Sequence, residues 1–517
     1  MRKIIAVMLS CMLAAGILLV PAYAADAPFM LAGLETTESS STEPLHDWDT
    51  NQFFTVMAEK TGVSFSISEF SDAESWTEEK QSMLSGETAM PDLLFKAELT
   101  PQETLAFYEA GKLIDLRPYL EEYAPHVWAL LQSNPEWLEA VSLPDGAIVA
   151  LPAINELAPN NTMWINKTWL ERVKADVPTT AEELTEVLKL FRDRDVNQNG
   201  QKDDEIPLSF TSMWDLRFLA HAFGINADDY YLSEEDGVIS ENLTTDANRA
   251  FLEWLHELWT EGLLDSDGFS ALRLLESSTT SSSSSSSENE TAKYGVFFGA
   301  TPVDVVGSTL AEEYVALDPL VYNGKQTYRD FTGDLYRGTF AISSTCTSPE
   351  TLLQWIDYLY TDEGFLLAEV GQEGTDYEWN DDGTWMYVRA ADEVLSLQAS
   401  TIIWTSNTPS YASAAVQGKI DDAETQRVVS ELVRIRQYEK RSMPLLYLME
   451  EQLSQVTALQ KSISGYAEQQ MTWFVAGDVA LNDDTWAEFC SRVEELGIDE
   501  MTAIWQNAYD SAWHAGE

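Results

Sequence analysis

The clearest alternation of apolar and polar positions along the chain lies just after residue 180. Thr180 is followed three residues later by Glu183, which is the spacing of a helix-capping box. Apolar side chains then recur at intervals of three and four, so that they share one face of a helix. These side chains are Leu184, Val187, Leu188 and Phe191. The pattern predicts an amphipathic helix that begins after Thr180 and ends near residue 195.

The amino-terminal part of the chain alternates between helical and strand patterns. Strand, helix and strand at this spacing predict a parallel α/β unit. The predicted elements there are a helix at 47–60, a strand at 61–67, a helix at 78–85 and a short apolar strand at 91–95. Further along, helices are predicted at 214–223, 248–260 and 349–360, strands at 293–299 and 338–343, and mostly helix from residue 442 onward.

The polar stretch 195–205 predicts a calcium site. Oxygen-bearing side chains stand at alternate positions and Gly200 permits a sharp turn, as in the first half of an EF-hand loop. Position twelve is Ile206 rather than Glu, so the closing carboxylate must come early, from Asp204 or Glu205. The alternative is a polar turn without metal. The predicted ligands of a structural Ca²⁺ are Asp195, Asn197, Asn199, Gln201 through its carbonyl, Asp203, Asp204 and Glu205.

Four pieces of this region, taken in order, resemble the extracellular solute-binding proteins of carbohydrate ABC transporters. The similar branch is that of LplA-type lipoproteins and alginate oligosaccharide-binding proteins. The pieces are W-I-N-K-T-W-L (164–170), P-T-T-A-E-E (178–183), D-V-N-Q-N-G-Q-K-D (195–203) and E-I-P-L (205–208). The segments E-G-L-L-D (261–265), Y-L-Y-T-D-E-G (358–364) and A-Y-D (508–510) extend the resemblance over nearly all of the mature chain.

The resemblance implies an α/β fold of the periplasmic-binding-protein type II class. Two α/β lobes are joined by a hinge, a ligand cleft lies between them, and the carboxy-terminal part is helical. The implied division is a signal peptide (1–24), a first lobe (25–155 and 301–392) and a second lobe (156–300 and 393–517). A run of Ser and Thr at 277–287 is predicted to be a flexible loop inserted in the second lobe.

The amino terminus predicts export from the cytoplasm. Arg2 and Lys3 precede an apolar stretch, 4–20, and an A-Y-A cleavage site ends at Ala24. We therefore expect a secreted, cell-surface or periplasmic protein. Lipidation at Cys11 is the less favoured alternative, because the residues around it form a poor lipidation motif.

The charge of the chain is strongly acidic. The whole sequence carries a formal charge of −56, and removal of the two basic residues of the signal peptide leaves −58. Such a surface repels nucleic acid and anionic lipid, so we expect neither as a partner. Cys346 and Cys490 alone remain after cleavage, and the sequence leaves open whether they pair or stay as free thiols.

Enzyme motifs do not stand out in the sequence. There is no H-E-x-x-H, G-x-S-x-G, Walker A or G-x-G-x-x-G pattern, and the five His residues are scattered. With 86 acidic residues, pairs of carboxylates suited to glycoside hydrolysis arise by chance. We expect a binding protein and no enzyme.

A neutral sugar presents hydroxyl groups and apolar faces, which proteins meet with polar side chains and aromatic rings. The candidate aromatic platforms are Trp164, Trp214, Tyr377 and Trp404, and the candidate polar groups are Glu156, Asp334 and Arg337. Packing in the core is the alternative for each aromatic residue.

The expected function is capture of a carbohydrate, in the first place an oligosaccharide, by closure of the lobes. Delivery would be to the permease subunits of an ABC importer, by a monomeric protein. The alternatives are a glycan-binding adhesin that is not coupled to transport and, less favoured, a glycan-acting enzyme.

Overall fold

The computed structural model describes residues 28–35, 47–270, 291–330, 333–388, 403 and 405–514. The predicted signal peptide, the Ser/Thr run and Trp404 lie outside these residues. The strands are β1 (Phe29–Leu34), β2 (Phe65–Phe70), β3 (Leu93–Phe95), β4 (Leu151–Asn155), β5 (Thr162–Asn166), β6 (Ile206–Leu208), β7 (Leu232–Glu235), β8 (Val238–Glu241), β9 (Tyr294–Gly299), β10 (Tyr314–Ala316), β11 (Tyr328–Asp330), β12 (Leu335–Ile342), β13 (Tyr377–Trp379), β14 (Trp385–Tyr387), β15 (Tyr411–Ala412) and β16 (Glu439–Arg441).

Helices cover both sheets and form the carboxy-terminal part. The helices are Gln52–Thr61, Ala73–Ser85, Pro101–Glu109, Arg117–Tyr123, Pro125–Ser133, Pro135–Val141, Lys167–Val173, Ala181–Asp193, Met213–Leu216, Asp246–Thr260, Pro302–Ala311, Pro349–Asp357, Asp362–Glu369, Ala414–Gln417, Ala423–Arg436, Glu450–Ala476, Asp483–Glu495 and Ile498–Asp510, with 3-10 turns at Arg217–Phe223 and Tyr358–Tyr360. None of the helices in the described residues is long and apolar enough to cross a membrane.

The first lobe is built on a six-stranded sheet with the order β15-β4-β12-β3-β1-β2. The two predicted strands of the amino-terminal α/β unit, β2 and β3, are parallel to each other, but β1, which was not predicted from the sequence, lies between them and pairs with both. β12 runs antiparallel to β3 and β4, and β15 is parallel to β4. The carboxyl ends of β1, β2, β3, β4 and β15 therefore lie at one edge, together with the start of β12.

Both faces of this sheet are covered. Leu93 and Phe95 of β3 belong to one apolar core, which includes side chains of the helices Gln52–Thr61 and Pro349–Asp357. Leu94, between them, belongs to the core on the opposite face. Successive residues of a strand point to opposite faces, so a strand of a parallel sheet that is covered by helices is apolar throughout.

The second lobe is built on a smaller sheet with the order β10-β5-β9-β6. The predicted helix at its side is observed as Ala181–Asp193, and Leu184, Val187, Leu188 and Phe191 are all buried. Thr180 accepts a hydrogen bond from the backbone N–H of Glu183 at 3.2 Å. The carboxylate of Glu183 binds Thr179 instead of closing a reciprocal box with Thr180.

The sheets place the crossings between the lobes later in the chain than the boundaries drawn from the sequence. The stretch after residue 301 still belongs to the second lobe, because β10 pairs with β5. The chain returns to the first sheet only at β12. Likewise β15 pairs with β4 of the first sheet, so the last crossing follows residue 412 rather than residue 393.

The two cysteines of the mature chain are free thiols. Cys346 packs against the core of the first lobe, and Cys490 packs against the core of the second lobe. Their separation into different cores rules out the pairing that the sequence left open.

Candidate functional site

The loop after β3 has an unusual backbone. Lys96 has a φ of +50° and Glu98 a φ of +47°, although neither is glycine. Each such residue costs about 1–2 kcal/mol. Strained residues of this kind cluster at ligand-binding sites. The loop is fixed against β12 by hydrogen bonds from Ala97 N–H to Thr339 C=O and from Leu99 N–H to Gly338 C=O.

Lys96 is fully buried beneath this loop. Its ammonium group lies 2.8 Å from the carboxylate of Glu35, which follows β1, and donates to the carbonyl of Ile403 at 3.1 Å. The same oxygen of Glu35 accepts from the indole N–H of Trp48 at 2.7 Å. Burial lowers the pKa of Lys96, and the charge of Glu35 opposes that shift. The pair therefore ties together chain segments that meet at the edge of the first sheet.

Glu98 lies at the surface of the same edge. One oxygen of its carboxylate accepts from the side-chain amide of Asn407 at 2.9 Å. Its backbone carbonyl accepts from Lys80 at 3.0 Å. Tyr336 is 47% exposed, and both burial and the charge of Glu98 raise the pKa of its phenol. A carboxylate, an amide and a phenol thus stand together where the strands end.

A cavity of about 110 Å³ opens beside these groups and is called here the strand-end cavity. Its walls come from the ends of β4 and β12 and from residues 405–410. The polar residues that line it are Asn155, Asp334, Tyr336, Thr405, Ser406, Thr408 and Ser410. In open α/β sheets, ligands bind outside the carboxyl ends of the strands, which is the position of this cavity.

A second cavity, of about 700 Å³, is called the flanking cavity. It lies between Trp137 of the first lobe and the carboxy-terminal residues Ala508 and Trp513. Asp334 and Leu335 line both cavities, so the start of β12 separates them. We treat the strand-end cavity as the candidate ligand site, because polar side chains converge on it and the strained loop is joined to its wall through the bond from Asn407 to Glu98.

The predicted polar candidates lie close to the crossing strands. Asp334 lines both the strand-end cavity and the flanking cavity. The carboxylate of Glu156 accepts from the hydroxyl of Tyr411 at 2.6 Å and from the backbone N–H of Ala414 at 2.8 Å. Glu156 therefore fastens the crossing segments to each other.

Arg337 is engaged in holding a different segment. Its guanidinium donates to the backbone carbonyls of Ala140 at 3.3 Å and Leu445 at 3.1 Å. It also lies over the ring of Tyr447, at 4.7 Å from the centroid. These contacts attach residues 445–447 to the first lobe.

Of the predicted aromatic platforms, two are buried in the core and one is partly exposed. Trp164 is fully buried, and its indole N–H donates to the carbonyl of Gly299 at 3.0 Å. Tyr377 is 2% exposed and packs against Trp385. Neither ring presents a face that a ligand could cover, since core packing encloses both. Trp214 is partly exposed and donates to Asp229 at 2.7 Å.

The sequence reasoning did not find Glu98, Tyr336, Thr405 and Asn407. No signal in the sequence marks a left-handed backbone at a Lys or Glu, because only Gly, Asn and Asp adopt it routinely. Glu98 and Asn407 are 309 residues apart along the chain. Their proximity is therefore a product of the sheet order.

The loop 195–205 has the turns of a cation-binding loop. Gly200 has a φ of +88°, and its N–H donates to Asp195 at 3.1 Å. The carboxylate of Glu205 turns into the loop and accepts from the N–H of Val196 at 2.9 Å. Burial and, to a lesser degree, Asp204 raise the pKa of Glu205.

Two oxygens of this loop are buried without a hydrogen-bond partner, namely Oδ1 of Asp195 and Oε2 of Glu205. Buried carboxylate oxygens are costly unless a hydrogen bond or a cation satisfies them. In the part of the chain that the structure describes, no three His, Cys, Asp or Glu side chains gather as a metal-binding group. The EF-hand-like spacing of the oxygen donors and the two buried carboxylate oxygens make the loop a candidate calcium site.

Comparison with solved structures defines the class of fold. An extracellular solute-binding protein from Bifidobacterium longum subsp. infantis aligns with a TM-score of 0.74 over 94% of this chain and 99% of that chain, at 19% identity. FusA of Streptococcus pneumoniae in complex with kestose aligns with a TM-score of 0.64, at 21% identity, over 94% and 99% of the two chains. The alginate-binding protein AlgQ2, solved without calcium, gives 0.60 at 16% identity over 95% and 99%. The chain has the two-lobe α/β fold of solute-binding proteins.

Comparison with curated proteins identifies relatives of this chain by sequence. The chain is 24% identical over 504 residues to the fructooligosaccharide ABC transporter substrate-binding protein FusA of Streptococcus pneumoniae, covering 91% of this chain and 89% of the relative. It is 26% identical over 290 residues to the lipoprotein LipO of Bacillus subtilis, covering 53% and 54%. No protein-family model matches the sequence. The relatives confirm the resemblance to the substrate-binding proteins of ABC transporters.

Proposed function

We propose that this protein captures an oligosaccharide outside the cytoplasm and delivers it to an ABC importer. The observation that carries the proposal is the similarity to FusA along 91% of the chain. The fold and the strand-end cavity support it, because the cavity lies at the carboxyl end of β4, and ligands bind at the carboxyl ends of strands in open α/β sheets.

The chemistry of the strand-end cavity suits a neutral sugar. Hydroxyl groups of a sugar can donate to the carboxylate of Asp334 and exchange hydrogen bonds with Thr405 and Ser406, which line the cavity. The exposed ring of Tyr336 offers an apolar face for the C–H side of a pyranose or furanose. A formal charge of −56 disfavours an anionic glycan.

Binding acts through the hinge. A ligand that touches both lobes binds the closed form more tightly than the open form and shifts the population toward it. The permease subunits then recognise the closed form. The protein acts as a monomer and performs no chemical step on its ligand.

The test is a thermal-melt screen of the mature protein with fructooligosaccharides, other neutral oligosaccharides and an oligouronate. A ligand that binds only the folded state raises the melting temperature by mass action. We expect a rise with one class of neutral oligosaccharide and none with the oligouronate. A flat response to every carbohydrate contradicts the proposal.

Two further readouts separate the alternatives. Chromatography of the ligand after prolonged incubation detects cleavage products, which only an enzyme would form. Uptake of the labelled ligand by cells that lack the protein distinguishes an import component, whose loss abolishes uptake, from an adhesin, whose loss leaves uptake intact.

We also propose that the loop 195–205 holds a structural Ca²⁺. The ligands are those expected from the sequence, with Glu205 as the closing carboxylate because it turns into the loop. The buried oxygens of Asp195 and Glu205 support the site. FusA of Streptococcus pneumoniae has the same fold as this chain, and one of its solved structures is an EF-hand mutant in complex with fructo-nystose. The ion, when bound, supplies positive charge that joins the end of the helix Ala181–Asp193 to β6.

Calcium binding is tested on the ligand-free protein. At a calcium concentration 100 times the Kd, the folded state gains about 2.7 kcal/mol. Calcium should therefore raise the melting temperature of the wild type, and EDTA should reverse the rise. Asp195→Ala should abolish the response. An equal response of the wild type and this variant contradicts the site.

Export is proposed from the sequence of the first 24 residues. Amino-terminal sequencing of the secreted protein should begin at residue 25. A lipid-modified Cys11 at the amino terminus, detected by mass spectrometry, would instead support anchoring.

A further inference from the structure

The loop Lys96–Glu98 is held more firmly than a loop that only connects β3 to the following helix. The indole N–H of Trp76 donates to the carbonyl of Ala97 at 2.7 Å. The ammonium of Lys80 donates to the carbonyl of Glu98 at 3.0 Å and is paired with Glu103 at 2.7 Å. Consecutive carbonyls of the loop are thus fixed by two side chains of one helix, Ala73–Ser85.

The restraint maintains a backbone that the chain would otherwise avoid. Lys96 and Glu98 are both left-handed, and no glycine occupies either position. A strained backbone persists only where the surrounding structure imposes it. The consequence here is a fixed direction for the side chain of Glu98.

The carboxylate of Glu98 is only partly satisfied by the protein. One oxygen accepts from Asn407. The second oxygen accepts no hydrogen bond from any residue that the structure describes. The group is partly exposed, and its partner Asn407 stands between Ser406 and Thr408, which line the strand-end cavity. A preorganised acceptor is thereby left available at the mouth of the cavity.

We propose that Glu98 is a ligand-contacting residue, whose carboxylate accepts hydrogen bonds from hydroxyl groups of the bound oligosaccharide, and that Lys96 is a positioning residue that holds Glu98 in place. The inference rests on the proposed function. Lys96 lies buried beneath the loop. Its charge is paired with Glu35, and its ammonium group anchors the loop to the carbonyl of Ile403.

The first experiment measures the affinity for the oligosaccharide by isothermal titration calorimetry. Glu98→Gln keeps the shape of the side chain and its contact with Asn407 but removes the charge. Loss of a charge-assisted hydrogen bond weakens binding roughly 10- to 100-fold. The matched control is Glu109→Gln, which changes an exposed carboxylate on the next helix of the same lobe and should leave the Kd unchanged.

The outcomes of this experiment are distinct. A weakened Kd for Glu98→Gln, with an unchanged melting temperature in the absence of ligand, supports the inference. A wild-type Kd for Glu98→Gln overturns the inference and leaves the proposed function standing. A wild type that binds no carbohydrate overturns both.

The second experiment tests the positioning role of Lys96. Because Lys96→Met alone leaves the charge of Glu35 buried and unpaired, the double variant Lys96→Met with Glu35→Gln is used. This variant should fold, as shown by a cooperative melt, and should weaken binding about 10-fold.

The decisive readout is a double-mutant cycle with Glu98→Gln. If Lys96 acts through Glu98, the change at Lys96 has little further effect on the Kd once Glu98 is Gln. A purely structural role predicts the same fold-change in both backgrounds, and that result would overturn the positioning role.

Discussion

His221 tests whether the interior of the second lobe holds a buried, neutral histidine ring. The ring is buried, its Nδ1 lies 2.7 Å from the carbonyl of Phe218, and its Nε2 accepts from the backbone N–H of Leu320 at 2.8 Å. The second contact requires a lone pair on Nε2, so the ring is neutral and carries its proton on Nδ1. Burial lowers the pKa of His221 to about 4, although the bond to Phe218 opposes the shift.

The lowered pKa of His221 sets the sign and size of a pH effect. As the pH falls, the unfolded chain binds a proton near pH 6.5, while the folded chain does not until about pH 4. The stability that the neutral ring of His221 contributes is therefore fully present above pH 6.5 and is lost progressively as the pH falls to about 4. The difference between the two pKa values corresponds to about 3 kcal/mol.

The assay is urea unfolding between pH 7.5 and pH 4 of the wild type and of His221→Gln. Gln retains an oxygen acceptor and an N–H donor but does not titrate in this range. The many carboxylates of the chain titrate equally in both proteins, so the difference isolates His221. We expect the stability of the wild type relative to the variant to fall by about 3 kcal/mol. A difference that stays constant with pH would refute the assignment of a buried neutral ring.

Other predictions follow from single side chains and glycines. Burial raises the pKa of Glu369 from 4.5 to about 7, so the folded state loses stability as the pH rises between these two values. Glu369→Gln should stabilise the protein at pH 8 by up to about 3 kcal/mol, less where solvent reaches the group, and the gain in urea unfolding should vanish near pH 4.5; a gain that is equal at both pH values contradicts this cause. At Gly338, φ is +74° and an added Cβ would lie 2.1 Å from the carbonyl oxygen of Leu99. Gly338→Ala should therefore lower the free energy of unfolding by about 3 kcal/mol or more. Gly111 has a φ of +66° and no atom within 4 Å of an added carbon, so Gly111→Ala should lower it by only about 1–2 kcal/mol in the same assay. Equal losses for the two glycines would contradict the clash.

The sequence by itself determined the elements whose cause is local. The helix Ala181–Asp193 follows from the spacing of its apolar side chains, and all four of them are buried. The parallel direction of β2 and β3 follows from the alternation of helix and strand patterns, whereas β1, which lies between them, was not predicted. For each of these helices and strands the apolar pattern lies within about 20 residues, so the periodicity alone shows which face is buried.

The tertiary structure decided which side chains are available to a ligand. Trp164 and Tyr377 were predicted as aromatic platforms for a sugar, yet packing within the second sheet and against Trp385 encloses them. Arg337 is taken up by backbone carbonyls of a segment more than 100 residues away. Burial and hydrogen bonding of these residues depend on partners that are remote in sequence, which no local pattern encodes.

The same reason explains the candidate site. Glu98 gains its place from a sheet order that brings β3 beside β12 and sets residues 405–410 against both. Its backbone angle is imposed by Trp76, Lys80 and the buried pair of Lys96 and Glu35. Local propensity opposes a left-handed Lys or Glu, and only the summed contacts of the folded protein overcome that preference.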